Sequence, residues 1–295
     1  MIISRTPFRI SFFGGGTDYP DWYNNQSGAV ISTTINKFCY ITCRQLPPFF
    51  KYKYRIRYHA KEETKSVNAI KHPSVKACIK CLGIKDGLEI VHHADLPARS
   101  GLGSSSTFTV GMLHALNTYK GKIISKRKLA YDAINIEQNV IKECVGSQDQ
   151  TNASFGGLNH IEFMPGNKIV VNPIVLSKKK HETLRSHLML FFTGFARTAS
   201  DISKHQIEAI KNKKIDLSAT YDMVNDAKDI LKKQNFIKEF GNLLHEQWLI
   251  KRSYTSKISN KAIDRIYAKG IKSGAYGGKL LGAGGGGFIL FLADP

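Results

Sequence analysis

A glycine- and serine-rich segment in the first half of the chain has the residue types that bind an anion. The run GLGSSS (residues 101–106) follows a strand-like run at residues 88–93 and opens a helix with apolar residues at helical spacing. The start of a helix leaves backbone N–H groups without partners, and the helix dipole adds roughly half a positive charge there. One serine is enough for an ordinary helix cap. Three serines behind two glycines therefore predict a phosphate-binding loop.

A second glycine-rich segment follows a strand predicted over residues 2–13. Its residues are Gly14, Gly15, Gly16, Thr17, Asp18 and Tyr19. Three glycines let the backbone approach a ligand closely, and Thr17 and Asp18 can form hydrogen bonds with hydroxyl groups. A tight turn capped by Asp18 is the alternative. A further strand pair is predicted at residues 29–35 and 38–44.

One acidic residue lies on an apolar face of a predicted helix. The neighbours of Glu137 at helical spacing are Ala133, Ile134, Val140 and Ile141. A carboxylate in such surroundings costs free energy unless it is paired or binds a metal ion. Considered by themselves, the residues leave both roles open. The turn after this helix, at residues 145–150, is rich in hydrogen-bonding groups.

Length and composition indicate a globular protein of two domains. The chain has 295 residues, of which 42% are hydrophobic and 22% charged. A composition shift at residues 176–182 (LSKKKHE) predicts a linker, and hence domains at residues 1–177 and 183–295. In the second half we expect a strand at residues 188–192 and helices near 199–211, 217–234, 236–252 and 260–273.

The net charge of +20 favours acidic partners, but the basic runs are scattered along the chain. We therefore expect a phosphorylated small molecule and no nucleic acid as the partner. No apolar run reaches the roughly 20 residues that a membrane helix needs, and the N-terminus lacks the features of a signal peptide. Together with five cysteines, which fit a reducing compartment, these features predict a cytoplasmic protein with no membrane partner.

A third glycine-rich segment, LGAGGGGF (residues 281–288), lies near the end of the chain. Its glycines match the spacing of the dinucleotide-binding fingerprint, but that fingerprint opens a helix, whereas a strand follows here. A Walker A loop is also excluded, because no glycine run is followed by Lys-Ser or Lys-Thr.

Three stretches together resemble the motifs of the GHMP kinase superfamily, which includes galactokinase, homoserine kinase, mevalonate kinase and phosphomevalonate kinase. PARSGLGSSS (residues 97–106) resembles the central phosphate loop, residues 5–19 the first motif and KLLGAGGGGF (residues 279–288) the third. The resemblance implies an α+β fold of two domains, the first with a left-handed βαβ crossover and the second ferredoxin-like. Relatives continue past the third motif with a helix and a strand. The second domain is then either naturally short or truncated, and we expect an exposed sheet edge, with a homodimer or instability as the consequence.

The resemblance also implies an ATP-dependent kinase that uses Mg²⁺. Ser105 and Glu137 match its Mg²⁺ ligands, Asp149 its catalytic base and Arg9 an arginine beside the reacting hydroxyl. The positions implied to hold ATP are Pro97, Arg99, Ser100, Gly101, Leu102, Gly103, Ser104, Ser105 and Ser106. The positions implied to bind the acceptor are Gly14, Gly15, Gly16, Thr17, Asp18, Tyr19, Arg197, Gly284 and Gly285.

The acceptor implied by the resemblance is a sugar phosphate. Thr17-Asp18-Tyr19 is similar to the sugar-binding T-D-Y of galactokinase, but the preceding glycines replace its Gly-Glu-His and leave room for a bulkier sugar. The segments FFGGGTDYPDWY, ADLPARSGLGSSS and VGSQDQ look most like those of D-glycero-D-manno-heptose 7-phosphate kinases. Such kinases phosphorylate the anomeric hydroxyl to give the 1,7-bisphosphate for surface polysaccharide synthesis. An L-fucose or galactose 1-kinase and a non-catalytic nucleotide- or RNA-binding relative are the alternatives. Arg197 is the candidate contact for the sugar phosphate, with a surface arginine as the alternative.

Overall fold

The computed structural model describes residues 1–195, 199–212 and 216–295. Within them, seven strands form the larger sheet: β1 (Ile2–Phe13), β2 (Gly28–Gln45), β3 (Tyr54–Arg57), β4 (Lys61–Thr64), β5 (Leu88–Ala94), β6 (Leu158–Met164) and β7 (Lys168–Pro173). Three strands form the smaller sheet: β8 (Leu188–Phe192), β9 (Gly277–Leu280) and β10 (Phe288–Leu292).

The α-helices of the described residues lie between these strands. They are α1 (Pro20–Tyr23), α2 (Pro73–Cys81), α3 (Ser104–Tyr119), α4 (Lys126–Asn135), α5 (Gln148–Phe155), α6 (Lys178–His187), α7 (Ala199–Lys211), α8 (Ser218–Lys232), α9 (Ile237–Ser253) and α10 (Lys261–Lys272). Shorter helical turns are the 3₁₀ turns Val67–Ala69 and Pro165–Asn167 and the π-helical turn Ile136–Val140.

The larger sheet has the order β4-β3-β5-β2-β6-β7, with β1 paired to β2. Its pairs are antiparallel except β3 and β5, which are parallel and are connected through α2. The predicted strand pair at residues 29–35 and 38–44 is wrong, because β2 continues through both. The register against β1 shifts between Pro7 and Arg9, so a bulge bends the ladder without interrupting β2.

The two halves of the chain share part of their core. Phe240 of α9 packs edge-on against Phe12 and Phe13 of β1, with ring centroids 5.4 Å and 5.0 Å apart. These contacts hold α9 against the strand that carries Arg9. Because aromatic side chains bury large areas, this packing fixes the relative position of the walls of the site described below.

The predicted linker at residues 176–182 is wrong, since most of it lies in α6. Ser177 caps this helix by accepting a hydrogen bond from the backbone N–H of Lys180, and Leu184 buries its apolar side. The domain limits at residues 177 and 183 stay a prediction. So do the hand of the β3–β5 crossover and the ferredoxin-like topology of the second half. No helix among residues 1–195, 199–212 and 216–295 is both long and apolar enough to cross a membrane.

Candidate active site

The predicted phosphate loop opens α3 as a helix start without a side-chain cap. The N-cap is Gly103, whose φ of 75° is left-handed, and no side chain accepts a hydrogen bond there. The first N–H groups of α3 are therefore available to an anion, and the helix dipole favours one. Gly101, with φ of 80°, packs so closely on Gly282 that a Cβ on Gly101 would lie 2.6 Å from the carbonyl oxygen of Leu281. The loop and the third glycine-rich segment thus require glycine at their contact.

A cavity of about 820 Å³ lies in front of this helix start. Most of the predicted site residues line it: Arg9, Gly15, Gly16, Asp18, Tyr19, Arg99, Gly101, Gly103, Ser104, Ser105, Ser106 and Asp149. The volume falls within the range of small-molecule sites. The structure thus brings the first and second glycine-rich segments, which are far apart in sequence, to one cavity. Arg197 lies outside the described residues.

Arg9 of β1 and Asp149 of α5 form a two-pronged ion pair at the centre of the cavity. Nε of Arg9 donates to Oδ1 of Asp149 at 2.7 Å, and Nη2 donates to Oδ2 at 2.6 Å. Nη1 donates to the carbonyl oxygen of Gly101 at 2.7 Å. The side chain of Asp149 remains 24% exposed, so its carboxylate is reachable from the cavity. Such bidentate pairs fix geometry as well as charge, and this one joins the carboxylate to the phosphate loop.

Asp18 is a buried carboxyl group beside this pair. Its oxygens accept hydrogen bonds from the backbone N–H of Gly16 at 3.0 Å and from the side-chain amide of Gln148 at 2.9 Å. Burial raises the pKa of Asp18 to about 6, and the nearby carboxylate of Asp149 adds to the rise. Residue 146 must be glycine for Asp18 to lie here, because a Cβ at residue 146 would be 1.9 Å from Oδ2 of Asp18.

Thr17 does not have the role predicted for it. Its side chain is fully buried, and its hydroxyl donates to the carbonyl oxygens of Gly14 and Ala29 and accepts from the N–H of Ala29. The hydroxyl proton is used within the turn, and Thr17 does not line the cavity. Gly14 is likewise a packing residue, because a Cβ there would lie 1.8 Å from the carbonyl oxygen of Ala29.

Five other predicted residues also lie outside the cavity lining: Pro97, Ser100, Leu102, Gly284 and Gly285. Ser100 and Leu102 are fully buried, with side chains that support the loop from behind. Gly284 packs on Ile258. In the third segment it is Gly282 and Ala283 that line the cavity. The predicted contacts, Gly284 and Gly285, are two residues too far along the chain, because a run of similar glycines does not show which of them faces the cavity.

Glu137 is fully buried in the π-helical turn, behind the cavity wall. The hydroxyl of Ser106 donates to its Oε2 at 2.7 Å, and the amide of Gln150 donates to the same oxygen. Its other oxygen, Oε1, has no hydrogen-bond partner. The nearby hydroxyl of Thr109 donates to the carbonyl oxygen of Ser105. Burial raises the pKa of Glu137 to about 7 against the opposing effect of these hydroxyl and amide groups.

The serine that the structure places on Glu137 is therefore Ser106, whereas Ser105 was predicted to act with it. Ser105 is exposed and lies beside Glu143, whose pKa is raised by burial and lowered by the Ser105 hydroxyl. In the described ranges no three His, Cys, Asp or Glu side chains are grouped to hold a metal ion. An orphaned carboxylate oxygen next to the serines nevertheless fits an oxygen-liganded cation such as Mg²⁺.

The end of the cavity beyond Arg99 is walled by aromatic rings that the sequence did not reveal. His72 stacks on Phe108 with centroids 4.6 Å apart, and Tyr58 meets His72 edge-on at 4.9 Å. His92 packs edge-on against Phe108 at 5.0 Å. Burial lowers the pKa of His92 to about 4, with a smaller contribution from His72. This part of the lining is therefore built mainly from aromatic rings.

Two lysines of the second half also line the cavity, and no motif pointed to the first of them. Lys251 of α9 donates from Nζ to the carbonyl oxygen of Gly282. Lys279 of β9 donates to the carbonyl oxygen of Phe12 and to Oε1 of Gln247, both at 2.7 Å. Burial lowers the pKa of Lys251 to about 8 and that of Lys279 well below its usual value.

Known proteins resemble this chain along its whole length. Residues 68–157 match the GHMP kinases N terminal domain, and residues 227–295 match the GHMP kinases C terminal domain. The D-glycero-alpha-D-manno-heptose 7-phosphate kinase of Campylobacter jejuni is 31% identical over 100% of this chain and 90% of its own. The galactokinase of Pyrococcus furiosus is 25% identical over 99% of this chain and 89% of its own.

Solved structures share the fold. A D-glycero-D-manno-heptose 1-phosphate kinase from Bacteroides thetaiotaomicron superposes with a TM-score of 0.79 at 24% identity, covering 100% of this chain and 89% of that one. The matched regions include both the phosphate loop with its helix and the third glycine-rich segment. The predicted two-domain α+β fold is thereby confirmed. The chain belongs to the GHMP kinase family, whose members use ATP as the phosphate donor.

Proposed function

We propose that this protein transfers the γ-phosphoryl group of ATP to the anomeric hydroxyl of a heptose 7-phosphate. The observation that carries the proposal is the Arg9–Asp149 pair, held in the cavity beside the uncapped start of α3. Phosphoryl transfer depends mainly on positioning and on charge neutralisation. The cavity offers a carboxylate for the acceptor hydroxyl within reach of a loop suited to phosphates. The full-length similarity to a heptose 7-phosphate kinase supports the choice of acceptor.

In this reaction Asp149 accepts the proton of the anomeric hydroxyl while the hydroxyl oxygen attacks the γ-phosphorus. The bond from that phosphorus to the bridging oxygen of ADP breaks, and ADP leaves. Arg9 holds both oxygens of Asp149, so the carboxylate keeps one orientation during proton transfer. The N–H groups at the start of α3 and the hydroxyls of Ser104 and Ser105 receive the phosphates of ATP.

We assign the Mg²⁺ that accompanies ATP to the region of Glu137 and the serines. Mg²⁺ would neutralise the charge that develops on the phosphates. Oε1 of Glu137 is the carboxylate oxygen without a hydrogen-bond partner, the hydroxyl of Ser106 donates to the other oxygen of this carboxylate, and Ser105 is the preceding residue of α3. Glu143 beside Ser105 adds a second carboxylate at this edge.

The aromatic wall is the proposed seat of the nucleobase. Its rings are those of Tyr58, which follows β3, His72, which precedes α2, His92 of β5 and Phe108 of α3. A flat base stacks well on rings such as His72 and Phe108. The acceptor then occupies the opposite side, where Gly15, Gly16, Asp18 and Tyr19 line the cavity. The small glycines leave room for a seven-carbon sugar.

The test is a substrate panel combined with replacement of the base. With ATP and Mg²⁺, we expect turnover of D-glycero-D-manno-heptose 7-phosphate and little turnover of free hexoses. Asp149→Asn should lower kcat by at least about 10²-fold, the usual loss for a general base, while the Kd for ATP stays within about twofold. The rates come from a coupled ADP assay and the affinities from calorimetry.

Two results would contradict this proposal. Preference for free fucose or galactose over the sugar phosphate would favour a different sugar 1-kinase. Unchanged kcat in Asp149→Asn would mean that another group accepts the proton. Asp222→Asn, at an exposed position of α8, is the control for the substitution itself.

A further inference from the structure

The cavity wall that comes from the second half of the chain carries a positive charge that the proposed chemistry has not used. Lys251 lies in the last turns of α9, and its Nζ donates to the carbonyl oxygen of Gly282 and lies 3.4 Å from that of Leu280. Its exposure is intermediate because it faces the cavity. Lys251 is therefore anchored by two backbone dipoles and open to a bound molecule on one side.

No nearby carboxylate forms an ion pair with this lysine. Both oxygens of Asp149 are engaged by Arg9. The oxygens of Asp18 accept from Gly16 and from the backbone and side chain of Gln148. Among the ion pairs of the described ranges, none includes Lys251 or Lys279. An ammonium group in a half-enclosed site without a counter-ion costs free energy, and a bound anion would recover it.

Lys279 holds the wall behind Lys251 in place. Its hydrogen bonds to Phe12 and Gln247 connect β9 to β1 and to α9. The position is 3% exposed, so this amine acts as a cross-link and not as a contact for a ligand. Lys251 and Arg9 both lower the pKa of Lys279, after burial, which shows that positive charge accumulates here. An anion on the open side of Lys251 would stabilise the whole cluster.

A group of the acceptor fits Lys251 better than a phosphate of ATP does. The phosphates of ATP already have the start of α3 and its serines, which belong to the other half of the chain. The carboxylate that influences Lys251 is Asp18, at the base of the proposed sugar subsite. The second half of the chain also gives the same cavity Ser203 of α7, Thr220 of α8, Gln247 of α9 and Tyr254 at the end of α9.

We propose that Lys251 binds the phosphate group of the acceptor sugar and so makes the enzyme select a phosphorylated over a free sugar. The inference rests on the proposed function and adds the residue responsible for its substrate class. Lysine binds phosphate as a point charge.

The experiment compares Lys251→Met with Lys251→Arg, using heptose 7-phosphate and the same heptose without phosphate as acceptors. Lys251→Met should raise KM for the sugar phosphate by about 10- to 100-fold, the loss typical of one hydrogen bond to a charged group. KM for ATP and turnover of the free heptose should stay within about twofold. Lys251→Arg should recover part of the loss because it keeps the charge.

Lys238→Met is the matched control, because Lys238 is an exposed lysine of the same helix outside this cavity. Circular dichroism and melting curves check the fold of each variant. If Lys251→Met does not fold, Lys251→Gln replaces it, since the amide can still donate to Gly282 without a charge.

The outcomes separate this inference from the proposed function. If the unaltered enzyme prefers free sugars, the proposed function fails and Lys251 loses its assigned ligand with it. If the unaltered enzyme prefers the sugar phosphate and Lys251→Met keeps that preference, this inference alone is wrong. A rise in KM for ATP without a rise for the sugar phosphate would move Lys251 to the donor and would also overturn it.

Discussion

The acid groups of the site have unequal environments, and the difference can be measured. Asp149 is partly exposed and held by Arg9, whereas Asp18 is buried and held by uncharged N–H donors. The guanidinium compensates the charge of Asp149 directly. Hydrogen bonds from N–H groups offset only part of the desolvation of Asp18, and the charge of Asp149 adds to it, so the pKa of Asp18 rises to about 6.

This raised pKa predicts a pH-dependent stability. The pKa of Asp18 rises from 3.8 to about 6 on folding. Between these values the folded chain holds a proton that the unfolded chain has lost, so the free energy of unfolding falls as pH rises from about 4 to about 6. The contribution is on the order of 3 kcal/mol, since one pKa unit corresponds to about 1.4 kcal/mol. Asp18→Asn should lack this part of the pH dependence.

Melting temperatures at pH 4 to 7.5 check the prediction. The melting temperature of the unaltered chain minus that of Asp18→Asn should decrease with pH up to about 6 and then stay constant. Asp222→Asn, exposed on α8, should show no such trend. Parallel curves for the unaltered chain and Asp18→Asn would contradict the assigned cause. A higher KM for the sugar is a separate expectation for Asp18→Asn.

The sequence predicted cavity residues correctly where a motif identifies the individual position. Arg9 and Asp149 lie 140 positions apart and form the expected pair. Thr17 was misassigned because a sequence does not show that a hydroxyl is already used by the backbone. Lys251 gave no signal, because one lysine among 43 basic residues is indistinguishable until the fold places it in a cavity.

At the scale of the secondary-structure elements, α3 determines the geometry of the site. Its N-cap, Gly103, lies under the Arg9–Asp149 pair, where a Cβ would be 3.2 Å from Oδ2 of Asp149 and 3.3 Å from Cγ of Arg9. The same helix is followed by another left-handed glycine, Gly121, with φ of 69° and nothing within 4 Å of a Cβ. A side chain at either glycine would strain the backbone, but only one at Gly103 would also contact the site.

We expect Gly103→Ala to lower kcat at least about tenfold, because a displaced carboxylate loses the geometry that proton transfer requires. Gly121→Ala carries the same backbone strain of about 1–2 kcal/mol without touching the site. Both variants should therefore lose similar melting temperature, while Gly121→Ala keeps its kcat. Steady-state rates and melting curves of the pair check this. Equal kcat values for the two variants would show that Gly103 is required only for its left-handed backbone conformation and not for its closeness to the Arg9–Asp149 pair.

The secondary structure followed the sequence wherever apolar periodicity was strong. Strands at residues 2–13 and 188–192 have the predicted bounds, and the strand expected after the third glycine-rich segment is β10. The failures share one cause, which is that local composition was read without tertiary context. Lysines at residues 178–180 suggested a linker, but a serine cap and one buried leucine suffice to make α6. The predicted strand pair was divided at residues 36 and 37, but β2 continues through them, and the irregularity is taken up by the bulge in the ladder with β1.

At the scale of the whole molecule, the smaller sheet has an apolar edge. Its order is β8-β10-β9, which leaves one side of β8 without a paired strand in the described part of the chain. Met189, Leu190, Phe191 and Phe192 are 37–46% exposed there. Phe191 and Phe192 pack partly on Phe291 and Phe288 of β10. An unprotected apolar edge strand pairs readily with another strand.

We therefore expect two copies of the chain to associate through β8. Met189→Lys places a charge on this edge without removing an aromatic contact, and it should shift a dimer at micromolar concentration to the monomer. Ile123→Lys is the control, because Ile123 is a fully exposed apolar residue far along the chain from β8. Sedimentation velocity at several concentrations measures the shift. A monomer in the unaltered chain, or a dimer that survives Met189→Lys, would place any association elsewhere. Met189 does not line the cavity that holds the Arg9–Asp149 pair, so the kcat of Met189→Lys should stay unchanged.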